Sequence, residues 1–345
     1  MNIFILPIQQ SKFRMCMRNY LRSYISKIFI CFLFTILFTK SGTAQLIKWG
    51  SENLNAEVGL NFGPTFFLGD LGVNPNTVSS FAKTINDPLK KFMKGAYASI
   101  YPKEWIGMRV AVQYTYLEGS DASITTTGRS ERYRKERNLD FRTNMWEAYT
   151  AAEFYPLMFL KRNDIDYAPR LRPYVFAGIG VFHFNPQGSL TDQNGNKTWH
   201  DLHQLHTEGQ GFPEYPNRKT YSLTQMNIPF GAGIKYKLTE KYNLGLEFLY
   251  RKTFTDYIDD VSTTYIDKSL FNKYLPAADA YMALRLYDKA PIRAGRSTEI
   301  KTRGNPNKND TYFSFALKFG IKLAHNFDTD MDRDASRGVR CPARF

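Results

Sequence analysis

Between residues 225 and 260 the chain alternates apolar and polar positions over two stretches separated by a tight turn. Met226, Ile228, Phe230, Ala232, Ile234, Tyr236 and Leu238 fall on one face, and Gln225, Asn227, Gly231, Gly233, Lys235 and Lys237 on the other. After Thr239, Glu240 and Lys241 the period resumes, with Leu244, Leu246, Phe248 and Tyr250 set against Gly245, Glu247, Arg251 and Thr253. A period of two predicts strands with one face away from water. Both runs match the about 9 to 11 residues of a membrane-crossing strand, and Tyr236, Tyr250, Phe254 and Tyr257 stand where aromatic girdles are expected.

Six further stretches show the same period. Residues 56–69 place Val58, Leu60 and Phe62 opposite Glu57, Asn61 and Thr65; residues 95–101 are short and weakly patterned. Residues 107–117 set Met108, Val110 and Val112 against Arg109 and Gln113, and 141–155 set Trp146, Ala148 and Phe154 against Glu147 and Glu153. Residues 172–184 are apolar on both faces, with glycines relieving the crowding, and 312–323 alternate Phe313, Phe315, Leu317 and Phe319 with Ser314, Lys318 and Lys322. The connections between the eight strands are long, short, long, short, long, short, long: 70–94, 118–140 and 185–220, then 255–311, against 102–106, 156–171 and 239–243. A soluble sandwich has no reason to put its long loops on one side. The expected fold is therefore all-β, an eight-stranded antiparallel transmembrane β-barrel of the outer-membrane type, with long extracellular loops and short periplasmic turns.

The ends support export. Residues 1–44 read as a cleaved signal peptide, with Arg14, Arg18, Arg22 and Lys27 leading into an apolar run at 28–38 and small residues up to Ala44. Residues 45–323 form the barrel and 324–345 a periplasmic tail, which places the protein in the outer membrane of a Gram-negative bacterium as a multi-pass protein in contact with outer-membrane lipid. The only cysteine of the mature chain, Cys341, has no internal disulfide partner.

Composition adds two points. Aromatics are 15% of the 345 residues, with 22 Tyr and 27 Phe, as a barrel with interfacial girdles requires. The net charge of +14 is scattered, with no aromatic-interleaved basic patch, so nucleic acid is not an expected partner. Its densest run, residues 129–137 (RSERYRKER), reads as a solvated loop. A barrel this narrow is filled by side chains. Arg109, Glu147, Glu153, Lys235, Glu247, Arg251, Lys318 and Lys322 are predicted to point inward as a polar network of both signs.

Candidate chemistry is sparse. His200, His203 and His206 are spaced by three beside Asp201 and form a weak metal candidate, since imidazoles at i and i+6 fan apart. Asp328, Asp330, Asp332 and Asp334 open like a calcium loop, but Arg333 replaces the turn glycine and Val339 the bidentate Glu. No nucleophile motif, cofactor cradle or metal-protease motif is present, so no catalytic residue and no cofactor is assigned. A membrane-embedded hydrolase using His200, His203 or Asp256 stands as a remote alternative, and a small pore or surface-binding barrel as a nearer one. Residues 277–287 (AADAYMALRLY) suit a short amphipathic helix within the last long loop.

NFGPTFFLGDL (61–71), RNLDFRT (137–143), RPYVFAGIGVFHFNP (172–186), HTEGQG (206–211), IPFGAGIKY (228–236), RKTFTDYIDDVSTTY (251–265) and the terminal CPARF occur in order. Together they resemble the PorG-type outer-membrane barrels of the type IX secretion system. The resemblance implies a non-enzymatic component of a secretion or gliding apparatus that anchors periplasmic ring proteins, including a lipoprotein. It transfers no catalytic residues. The segments at 207–211 and 255–265 are expected to organise the extracellular mouth.

Overall fold

The computed structural model describes residues 55–71, 92–124, 129–161, 169–192, 194–290 and 302–323. The export signal, the calcium-like aspartates and Cys341 lie outside the described residues. Eight long strands form a closed antiparallel ring: β1 (Asn55–Leu68), β2 (Phe92–Lys103), β3 (Ile106–Ser120), β4 (Asp140–Phe154), β5 (Leu171–His183), β8 (Thr224–Lys237), β9 (Tyr242–Thr253) and β10 (Thr311–Lys322). The ring closes where β1 pairs β10, with Glu57 opposite Lys322, Leu60 opposite Phe319 and Phe66 opposite Phe313. Two short strands, β6 (Gln187–Thr191) and β7 (Lys197–Asp201), form a hairpin outside the ring, paired with β4 through the backbone at Arg142 and Gln187 and bonded to it again where Ser189 donates to Asp140.

Burial is inverted relative to a water-soluble protein. Leu60, Ile179 and Leu246 on the outer wall are 63%, 59% and 64% exposed, whereas Arg109, Glu153 and Glu247 on the inner wall are 1%, 1% and 2% exposed. Such an exterior is stable only against hydrocarbon, and a closed ring leaves no strand edge unpaired there. No described helix is long and apolar enough to cross a membrane. Trp105 packs edge-on to Phe154 at 6.3 Å and Phe159 at 5.2 Å at one rim, an aromatic cluster of the interfacial kind.

The two ends differ. At the short-turn end β8 and β9 are joined through residues 238–241, and β4 reaches β5 through helix α2 (Pro156–Leu160) and residues 161–170. The long-loop end carries α1 (Arg129–Arg137), the β6–β7 hairpin, α3 (Ser269–Tyr274) and α4 (Ala277–Leu286).

Three expectations change. Residues 129–137 form a helix rather than a solvated loop, because Arg134 and Arg137 find acceptors on the loop beneath: both donate to Asp70 O, at 2.7 and 2.9 Å. The third long connection contains a β-hairpin whose short arms carry too few alternations to register. Tyr257 is no girdle residue; it is partly buried and stacks on Tyr221 at 4.7 Å.

Candidate functional site: the lumen and the long-loop end

The lumen is lined by every second residue of the eight strands, and its charges fall in linked groups. Nearest the short-turn end, Glu57 accepts from Lys235 Nζ at 3.2 Å, Asn243 Nδ2 at 2.7 Å and Tyr97 Oη at 2.8 Å. In the middle, Arg109 donates through Nε to Glu153 at 2.6 Å and through Nη1 to Glu247 at 3.0 Å, with its guanidinium 4.8 Å from the Phe176 ring centre. Glu247 also accepts from Tyr174 Oη at 2.6 Å and Lys318 Nζ at 3.1 Å. Tyr174 has room because position 233 is glycine: a Cβ there would lie 2.6 Å from its ring.

Toward the long-loop end, Glu147 accepts from Asn227 Nδ2 at 2.6 Å and Arg251 Nε at 3.3 Å, and Gln113 donates to it as well. Arg251 also lies 4.9 Å from the Tyr312 ring centre. Four buried carboxylates, Glu57, Glu147, Glu153 and Glu247, thus face four buried cations, Arg109, Lys235, Arg251 and Lys318. Each charge has an opposite partner, the condition under which ions tolerate a low-dielectric interior. Lys322 stands half-buried at the short-turn rim, outside these pairs, and Glu57 is a member that the inward-charge set named from sequence lacks.

Above the network the lumen turns apolar. Phe67, Leu117, Phe141, Phe182, Phe184 and Ile258 pack into one buried cluster, and Phe184, Tyr221 and Tyr257 stack nearly parallel at 6.2 and 4.7 Å. Strand residues supply Phe67, Leu117, Phe141 and Phe182, while Phe184, Tyr221, Tyr257 and Ile258 come from the connections, so the loops are part of the barrel's filling.

The segments at 206–211 and 251–265 meet above the plug. Glu208, fully buried, accepts from Ser262 N at 2.9 Å, Thr263 N at 2.8 Å and Arg303 Nη1 at 3.0 Å. Thr207 Oγ1 and Tyr221 Oη donate to the two oxygens of Asp260 at 2.5 and 2.8 Å. Arg303 also donates to Asp260 O and, at 3.3 Å, to Tyr287 O, while Arg137 donates to Arg303 O. Asp260 is held at φ 61, a left-handed conformation unusual for a residue with a side chain, and Gly209 and Gly211 supply the positive φ that the neighbouring turn needs. The two segments are the parts of one buried latch.

Beside the latch lie four aspartates. Asp259 accepts from Leu71 N and Val261 N, both at 3.0 Å, and Asp310 from Ile258 N at 2.8 Å. Asp70 accepts from Asn305 N at 2.7 Å. Asp256 is 8% exposed, and neither carboxylate oxygen has a partner in hydrogen-bond geometry among the described residues. Burial, with Asp70 and Glu208 adding, pushes the Asp256 carboxyl up to about 8. Burial likewise pushes Asp259 and Asp310 well above the usual range, each raised further by its acidic neighbours. Burial raises Asp260 to about 6 against the pull of Arg303.

These acids hold protons in the folded loops that they release when unfolded, near pH 4. The folded state then binds more protons, and stability falls as pH rises. The long-loop end is expected to be most protected below about pH 4 and to loosen as pH climbs toward 8. Asp256→Asn is expected to flatten that decline and to increase loop protection at pH 8, read by proteolysis or amide exchange across a pH series. A variant whose loops are less protected than wild type at pH 8 contradicts this account.

The histidines are dispersed. His203 Nε2 lies 2.8 Å from Tyr221 O, His200 lies 3.1 Å from Thr198 Oγ1, and His206 packs at 5.9 Å from Phe212. Among the described residues no three His, Cys, Asp or Glu side chains converge to hold a metal ion. The sequence pattern contained no sign of Arg303, and it marked Glu208 only as part of the 207–211 segment; an isolated charge in a long loop looks the same whether it is solvated or buried.

No protein-family model and no curated protein matches the chain. Among solved structures, it is similar to a major outer membrane protein from Thermus thermophilus, at 9% identity over 78% of this chain and 99% of that one, with a TM-score of 0.35. It is also similar to Ail, the attachment invasion locus protein of Yersinia pestis, at 7% identity over 78% and 97%, with a TM-score of 0.32. OprG of Pseudomonas aeruginosa shows 9% identity over 79% and 96%, with a TM-score of 0.32. The barrel assignment rests on the strand pairing itself.

Proposed function

We propose that the protein is a closed, non-conducting barrel of the outer membrane, working through its two ends as a structural component of a type IX secretion or gliding apparatus. Its long loops face outward, and its short turns and residues 324–345 face the periplasm and anchor ring proteins, a lipoprotein among them. The observation that supports the closed-barrel part is the filled lumen: among the described residues, neutralised ion pairs lie below and an aromatic plug above. The apparatus is supported by the resemblance of residues 61–71, 172–186, 228–236 and 251–265 to PorG-type barrels. The small-pore reading has no such support. The surface-binding reading draws on the ordered long-loop end, whose segments are joined by buried bonds.

Purified protein in planar bilayers is expected to give no steady current, and a steady single-channel current would establish the pore instead. In cells, deletion of the gene is expected to block export of type IX cargo, and the tagged barrel to co-purify with periplasmic proteins from detergent. Intact export with no co-purifying partner would reject the secretion role and leave the closed barrel standing.

A further inference from the structure

A cavity of about 340 Å³ opens at the long-loop end between the β6–β7 hairpin, the turn at 120–122 and the C-terminal end of α4. That volume lies at the lower end of the range for small-molecule sites, roughly 300–1,000 Å³. Its wall has a defined charge arrangement. Asp140 is saturated: it accepts from Ser189 Oγ at 2.5 Å and Ser189 N at 3.3 Å, and pairs with Lys289. Its charge is thus engaged in fixing β6 and Lys289. Lys197 reaches Asp140 only at 3.7 Å, and among the described residues Arg285 donates to the neutral Tyr281 Oη, at 3.2 Å. The cavity therefore carries three cations against one committed carboxylate, with the Asn138 amide and the Thr191 hydroxyl on the same wall.

Cations at the end of α4 complement the helix dipole, which accounts for Arg285. It does not account for Lys197, which comes from β7, nor for the cavity between them. Burial pushes the Lys289 ammonium down from its usual range, and Lys197 and Arg303 push in the same direction against Asp140. Asn138 is held at φ 54, which fixes its place at the cavity edge.

We propose that this cavity binds an oxyanion carried on a small molecule, a phosphate or sulfate group held by Lys197, Arg285 and Lys289, with Asn138 and Thr191 bonding the remaining oxygens or adjoining hydroxyls. Charge-assisted bonds from three cations supply the attraction, and the cavity has room beside the oxyanion for a group of about one sugar ring. The site is independent of the secretion role, because it lies at the opposite end from the short turns.

The test is calorimetric titration of the full chain in detergent with inorganic phosphate, inorganic sulfate, glucose 6-phosphate and glucose. The oxyanions are expected to bind and glucose not to, with affinity falling as sodium chloride is added. Glucose 6-phosphate binding at least tenfold tighter than phosphate would assign the site to sugar-borne groups; equal binding would assign it to the free oxyanion. Both partners of the double variant Lys197→Gln/Arg285→Gln are exposed, so the fold is expected to survive, with unchanged heat-modifiable mobility and at least tenfold weaker binding. Lys273→Gln, which removes an exposed lysine elsewhere on the same end, is expected to leave affinity unchanged. Absence of oxyanion binding by wild type, unchanged binding in the double variant, or an equal loss in Lys273→Gln would overturn the proposal.

Discussion

Arg109→Met is expected to lower the stability of the folded barrel by about 3–5 kcal/mol, the usual consequence of leaving a buried charge without its partner. Arg109 is 1% exposed and holds two carboxylates at once. Glu247 keeps Lys318 at 3.1 Å after the change, so it retains a counter-charge. Glu153 keeps only neutral donors, Tyr155 Oη at 2.7 Å and Tyr101 Oη at 3.1 Å. The orphan is therefore Glu153, and Arg109→Met/Glu153→Gln is expected to recover a large share of the loss. The measurement is the urea midpoint of the heat-modifiable band. If the double variant is no more stable than the single one, the pairing of these two groups is not what stabilises the lumen.

Arg303→Met is expected to open the long-loop end while leaving the barrel shut. Arg303 is the cation for Glu208, donates to the carbonyls of Asp260 and Tyr287, and accepts Arg137 on its own carbonyl. Its loss leaves a buried carboxylate that keeps hydrogen bonds but no counter-charge, worth about 3–5 kcal/mol locally. At 1.4 kcal/mol per factor of ten, the amides of Ser262 and Thr263 are expected to exchange about two to four orders of magnitude faster. Those of β9 and β10 are expected to hold their rates, because their ladder does not depend on the latch. Equal acceleration in the strands would show that latch and barrel unfold together.

The barrel was legible because its signal repeats. Most of the strands alternate over many residues, 95–101 and 172–184 being the exceptions, and loop lengths segregate to one side independently of any single strand. The weakest strand in the pattern, at 95–101, extends in the structure to Phe92–Lys103; its outward Ala96 and Ala98 carry little hydrophobic contrast. The long-loop end was legible only in part. The helix at 277–287 has a 3.6-residue period and forms as α4, and the two mouth segments were recognisable as units. That Arg137 turns inward to Asp121 at 2.7 Å, or that Arg303 sits in a buried latch, depends on tertiary contacts between loops, which leave no periodicity. Glu57 was read on the polar face of its strand, but its partner Lys235 lies 178 positions away, and alternation places a residue on a face without saying what it meets there.

The joint between the first and last strands has a kinetic consequence. Glu57 must find Lys322 across nearly the whole chain, whereas most other strand pairs are sequence neighbours. Chain entropy makes such a long-range meeting slow relative to local hairpins. The sheet is therefore expected to assemble as an open, curled ribbon with two unsatisfied edges, the side chains of β1 and β10 completing the lumen last. A nascent chain stopped before residue 311 would expose the edges of β1 and β9 for pairing with other chains, so the last dozen strand residues seal the ring against self-association.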